Sequence, residues 1–173
     1  MTVPATTGFH GLYQGVVESN EDPLQQGRLN IRVPDVLGDV TVWASPLTPL
    51  AGTASGMYVV PLVRSGVWVQ FLGGDPGRPV WVGFWRDGPQ DVPLAAAATP
   101  AGTAQIVLST PQQNALVLSD APTGGIKLQF GPVGPAITID ATGIELSCGP
   151  GQASITLRGP MVSINGEALT VLV

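Results

Sequence analysis

Between residues 126 and 171 the chain repeats an apolar residue, a spacer and a second apolar residue six times, as Ile126/Leu128, Ile137/Ile139, Ile144/Leu146, Ile155/Leu157, Val162/Ile164 and Leu169/Val171. Successive copies start 11, 7, 11, 7 and 7 residues apart, which builds 18-residue intervals from 126 to 144, 137 to 155 and 144 to 162. Strict alternation predicts strands, because neighbouring strand side chains point to opposite faces. Repetition at a fixed period predicts a stack of such strands. Phe130 and Cys148 extend the apolar parity, and the other parity is polar, with Lys127, Gln129, Thr138, Asp140, Glu145, Ser147, Thr156, Arg158, Ser163, Asn165 and Thr170. Gly or Pro separates most copies, as turns between strands require.

A stack of this kind has one apolar face. The repeat contains one aromatic residue, Phe130, and no predicted helix to cover that face. Repeat units need neighbours to bury their apolar side, and further copies of the same chain are the simplest neighbours. Three chains around one axis would make a triangular prism with a dry aliphatic interior and few exposed sheet edges. The expected trimer core is therefore Ile126, Leu128, Phe130, Ile137, Ile139, Ile144, Leu146, Cys148, Ile155, Leu157, Val162, Ile164, Leu169 and Val171. Whether Ile106/Leu108 and Leu116/Leu118 begin the stack or belong to a transition stays open on spacing alone.

The first half has a different pattern. Its alternating stretches are Gly11 to Ser19, Gly27 to Val33, Val40 to Ala44, Gly66 to Leu72 and Pro79 to Trp85, with a long connection from Pro46 to Ser65. Five short strands in about 80 residues suit a small closed barrel of the OB type. All four tryptophans and both tyrosines precede residue 90. The reading is all-β: an arm over 1–10, an OB barrel over 11–90, a linker over 91–103 and an intertwined or stacked β-helix spike over 104–173. Gly73-Gly74-Asp75-Pro76 is read as a barrel hairpin turn, in which Gly73, Gly74 and Gly77 supply positive φ and Asp75 binds nearby amides.

Two stretches carry a resemblance. Leu12 to Val17 with Asp22-Pro23, Gly27-Arg28-Leu29 and Arg32-Val33-Pro34, then Trp43-Ala44, Pro61, Gly66-Val67-Trp68-Val69-Gln70-Phe71, Gly74-Asp75-Pro76, Pro79-Val80 and Gly83, resemble the OB domain of the phage baseplate assembly protein V family. That domain also occurs in VgrG spikes of type VI secretion. The resemblance covers roughly residues 11 to 85 and implies a homotrimeric central spike. In such a spike the barrel forms a collar under the tail tube and the repeat a needle that punctures the target envelope mechanically. It also implies a virion tail baseplate or contractile injection particle, assembled in the producing cell's cytoplasm. Neither a lysozyme-like insert nor a preceding hub domain is seen, so lytic activity does not carry over and the hub joining spike to tail tube is expected to be a separate protein. The apolar end, with Leu172 and Val173, is expected to meet a tip protein of the PAAR type.

Composition narrows the alternatives. The 173 residues are 44% hydrophobic and 11% charged, with 23 Gly and 17 Pro, which excludes disorder driven by charge and low hydrophobicity. No apolar run reaches the roughly 20 residues of a membrane helix, and Met1 to Gly8 shows no signal-peptide pattern. Net charge is −5 and no basic stripe emerges, so nucleic acid is not an expected partner. The alternatives weighed are an OB binding module, for carbohydrate or single-stranded nucleic acid, on an oligomerising tail, and a wall-degrading baseplate enzyme.

Candidate chemistry is sparse, and no catalytic, cofactor or metal residues are assigned. His10 is the only histidine; three copies could meet on an axis to hold a metal, but a strand-start surface residue is the simpler reading. Cys148 is read as a small buried hydrophobe rather than a reactive thiol. Glu18, Glu21 and Asp22 could pair for acid–base work, but a solvated turn is the plainer account. Trp68, Trp81, Phe84 and Trp85 could stack bases; without a basic groove, core packing and contacts between subunits explain them better.

Overall fold

The computed structural model describes residues 8–166 and 168–172, with the backbone alone at Thr170 and Leu172. The chain is all-β apart from single helical turns, and it divides into two compact units after Asp87. In the first unit, strands β1 (Tyr13–Ser19), β2 (Leu29–Arg32), β3 (Thr41–Pro46), β6 (Gly66–Phe71) and β7 (Pro79–Phe84) close into a barrel of order β1-β2-β3-β7-β6. Contacts around the barrel are antiparallel except β3 with β7, which run parallel through Ser45↔Val80 and Pro46↔Trp81. Alternate residues fill the interior, where Val17, Leu29, Ile31, Val33, Ala44, Val67, Val69, Phe71 and Trp81 form one buried cluster. Trp81 is a keystone: it lies inside, and its indole N–H donates to the Gly27 carbonyl at 3.1 Å.

Two features break the simple alternation. Pro34–Leu37 forms a one-turn helix, α1, with Pro34 at its start, a position where the missing N–H costs nothing. The long connection between β3 and β6 carries a small hairpin, β4 (Ala51–Gly52) with β5 (Ser55–Gly56).

In the acidic group at the β1–β2 turn Glu21 is exposed, as a solvated turn requires, but Asp22 is not. The Asp22 side chain is only 3% exposed, because the chain folds back to place Arg28 beside it. Its carboxylate accepts from the amides of Leu24, Gln26 and Arg28 and from Nε and Nη2 of Arg28, the last at 2.7 Å. The Arg28 guanidinium, aided by those amides, holds the Asp22 carboxyl far below its ordinary value of 3.8. A depressed folded pKa stabilises the fold above that ordinary value, and the contribution fades as pH falls through the folded value. Asp22→Asn should therefore lower the urea midpoint at pH 7, with the gap to wild type shrinking as the pH is taken below 3.8. A gap that is constant with pH would show that the charge is irrelevant. Glu18 is likewise engaged, accepting from Arg32 Nε at 3.0 Å.

The second unit begins with a 3-10 turn (Pro89–Asp91) and a one-turn helix, α2 (Leu94–Ala97), and continues as eight strands. These are β8 (Gln105–Ser109), β9 (Ala115–Ser119), β10 (Gly125–Gln129), β11 (Ala136–Asp140), β12 (Gly143–Ser147), β13 (Ser154–Arg158), β14 (Met161–Ile164) and β15 (Leu169–Leu172). Each pairs antiparallel with the next, giving one sheet in chain order. Ile106/Leu108 and Leu116/Leu118, left open by spacing, are its first two strands. The 7- and 11-residue intervals follow from the turns: 141–142 and 159–160 are tight, whereas 130–135 and 148–153 are longer. Gly125 and Gly143, 18 residues apart, open strands at φ of 147° and 143°. A Cβ on either would run into a backbone carbonyl of the next strand, that of Ile139 in β11 or Leu157 in β13.

Candidate assembly surface

The register of the eight strands turns the sequence repeat into two continuous rows. One runs Ile106, Leu118, Ile126, Ile139, Ile144, Leu157, Val162, Val171; the other runs Leu108, Leu116, Leu128, Ile137, Leu146, Ile155, Ile164, Leu169. Directly opposed aliphatic side chains on one face are the unit of sheet stabilisation. Here no described residue covers them. Val162 is half-buried, and the other fifteen are 36% to 60% exposed. The middle of the face is an open trough of about 730 Å³ lined by Leu128, Phe130, Ile137, Leu146, Cys148, Ile155 and Ile164, among others.

The opposite face carries the row Val107, Val117, Lys127, Thr138, Glu145, Thr156, Ser163. Glu145 and Arg158 approach to 3.9 Å there, both well exposed. One chain thus holds its large aliphatics more open to water than its short polar residues, the reverse of a finished soluble fold. Only a further surface laid on the aliphatic face reverses it.

The sheet margins are pinned by side chains that sequence reading missed. Asn114 Oδ1 accepts from the Gly131 amide at 3.0 Å, and Asn165 Oδ1 from the Ser154 amide at 3.0 Å, each tying one turn to a neighbouring one. Asn and Asp at turn positions are the signal that could have found them. On the other margin Asp140 accepts from the Thr142 hydroxyl and amide, which hold its carboxyl below the ordinary range.

The remaining sequence candidates fall as follows. Phe130 and Cys148 follow β10 and β12 on the aliphatic side and are exposed in the single chain. The Leu172 side chain and Val173 lie outside the described residues. In the β6–β7 turn, Gly73 and Gly74 have φ of 64° and 77°, while Gly77, expected to share this, does not. Asp75 Oδ1 accepts from the Gly77 amide at 2.8 Å, beside Pro76, so that amide is satisfied without a left-handed backbone. Gly74 is buried with the His10 imidazole against it, leaving no room for a Cβ. Among the described residues no three His, Cys, Asp or Glu side chains come together as a metal-binding group. The aromatics do not form one stacking face: Trp81 is in the core, Trp85 covers Gly66 and donates to the Gly15 carbonyl at 3.2 Å, and Phe84 is exposed.

The comparisons with known families agree with this division of the chain. Residues 13–85 match the type VI secretion system/phage-baseplate injector OB domain. Residues 105–170 match the phage baseplate V C-terminal trimerisation domain, so the stretch holding the two aliphatic rows is the stretch matched to a trimerisation domain. The comparison with curated proteins returned no match. Both matched families are structural parts of baseplates, which supports a spike-type structural role in the virion tail baseplate. With an injector OB barrel followed by this trimerisation domain, the chain belongs to the phage baseplate V family.

Proposed function

We propose that the chain is the central spike of a contractile tail or injection baseplate: a homotrimer whose C-terminal sheets close into a β-prism needle that punctures the target envelope. The observation that carries this reading is the pair of aliphatic rows running the full width of the sheet. Closing three such faces on one another would gain on the order of 1 kcal/mol for each half-exposed Leu or Ile side chain. Eight strands spaced about 4.8 Å apart make a stack about 34 Å long. Backbone hydrogen bonds run along the whole stack, so a compressive load would be shared by every strand. A separate hub protein would join the trimer to the tail tube, a PAAR-type protein would form the tip, and the envelope would be a transient partner.

Electron microscopy of tail particles labelled with an antibody to the polar sheet face would test the reading. Label at the distal end of the baseplate is expected. Label on the tube, sheath or capsid would contradict it.

A further inference from the structure

We propose that the barrel carries a second contact between copies, in which the exposed apolar surface from Leu47 to Val63 docks against the barrel of the adjacent protomer. This rests on the trimeric reading but concerns a different part of the chain. From Val40 to Val63 there are 24 consecutive residues without a charged side chain, bounded by Asp39 and Arg64. Every charged residue of the barrel unit lies outside this stretch. Yet from Leu47 on the stretch is at the surface, with Leu47, Leu50, Met57, Tyr58, Val60 and Leu62 all 47% exposed or more. Depletion of charge around exposed large apolar and aromatic side chains marks the core of a protein interface.

The backbone supports the same conclusion. From Met57 to Val63 the chain joins no strand or helix. Thr48 Oγ1 reaches the Met57 carbonyl at 3.1 Å and Asn20 Nδ2 reaches the Pro61 carbonyl at 2.7 Å, which anchors the segment without covering it. Between this segment, the β4–β5 hairpin and the aromatic pair Trp81 and Phe84 lies an apolar cleft of about 470 Å³. Such a cleft can receive side chains from an apposed surface.

The occupant follows from the chain's own assembly. Residues 105–170 match a trimerisation domain, so each barrel is tethered to two identical barrels. Tethering raises the effective concentration of a neighbour to roughly the millimolar range, so a contact too weak to form between free barrels closes within the trimer. In a three-fold ring each patch meets a different surface of the next protomer, and the ring closes with no further component. A charged partner would leave its own charges desolvated against this surface.

Methionine reactivity tests the contact. Met57 is 51% exposed in the single chain, and Met161, on the polar sheet face, is 40% exposed. The purified full chain is treated with dilute peroxide, sulfoxide formation at each methionine is followed by mass spectrometry, and mass is measured by light scattering. Oxidation follows exposure, so Met57 should react about tenfold more slowly than Met161 in the trimer. Val60→Glu should bring Met57 up to the Met161 rate while the particle remains a trimer. A monomeric mass for the wild type would sink the spike reading and this contact together. A trimer in which Met57 reacts as fast as Met161 would sink the contact alone. A trimeric Val60→Glu chain with Met57 still protected would also overturn it, since the shielding would then come from the protomer itself.

Discussion

Leu146→Asp is expected to abolish the trimer. Leu146 sits in mid-sheet, paired with Ile137 on one side and Ile155 on the other, and its side chain faces the trough. In the proposed prism three aspartates would meet an aliphatic interior with no cation within it. A buried charge without a partner costs several kcal/mol even after relaxation, and each chain also loses about 1.5–3 kcal/mol of leucine burial. The sum over three copies exceeds what an assembly of this size can absorb. Sedimentation should show monomer or aggregate in place of trimer. Thr156→Lys is the matched control. Thr156 lies on the polar face directly opposite Glu145, so an added lysine meets an opposite charge in water and the trimer should persist. If the two variants behave alike, the aliphatic face is not the interface.

Trp81→Ala is expected to unfold the barrel. The indole is 5% exposed within the core cluster, and large-to-small changes at such sites cost about 3–5 kcal/mol. The Gly27 carbonyl would also lose the indole N–H it accepts from at 3.1 Å, and an orphaned buried acceptor adds about 1–3 kcal/mol. Small domains have about 5–15 kcal/mol in total, so the variant would be at or past the edge of stability. Trp81→Phe separates the two terms: it keeps most of the apolar volume and loses the hydrogen bond. Urea unfolding followed by circular dichroism should show a modest loss for Phe and loss of the cooperative transition for Ala. Equal behaviour of Ala and wild type would show that Trp81 is not a keystone.

The five barrel strands were legible because each alternates over four or more residues with Gly, Pro or Asp between them. The sheet strands from Ile126 onward were legible because tight and long turns alternate and print a 7- and 11-residue spacing. The first two were not, because the turns at 110–114 and 120–124 are alike in length and space Ile106, Leu116 and Ile126 by 10 residues. Helix α1 escaped because four residues cannot display helical periodicity, although Pro34 marked its start. The role of Asp22 was hidden for another reason: an acidic cluster at a turn looks solvated until the fold shows Arg28 returning over it. The margin ties from Asn114 and Asn165 depend on which turns become neighbours, which spacing alone does not reveal. The aliphatic face itself was plain in the sequence, since parity alone assigns each side chain to a side.

The central claim is that this face is covered by two identical companions, and the solution mass of the full chain tests it most directly. One chain is 17.8 kDa. Light scattering on the purified protein should return three times that value across a wide dilution range. A stable, soluble particle of 17.8 kDa would mean that a single polypeptide tolerates its aliphatic rows in water, and the spike account would be wrong.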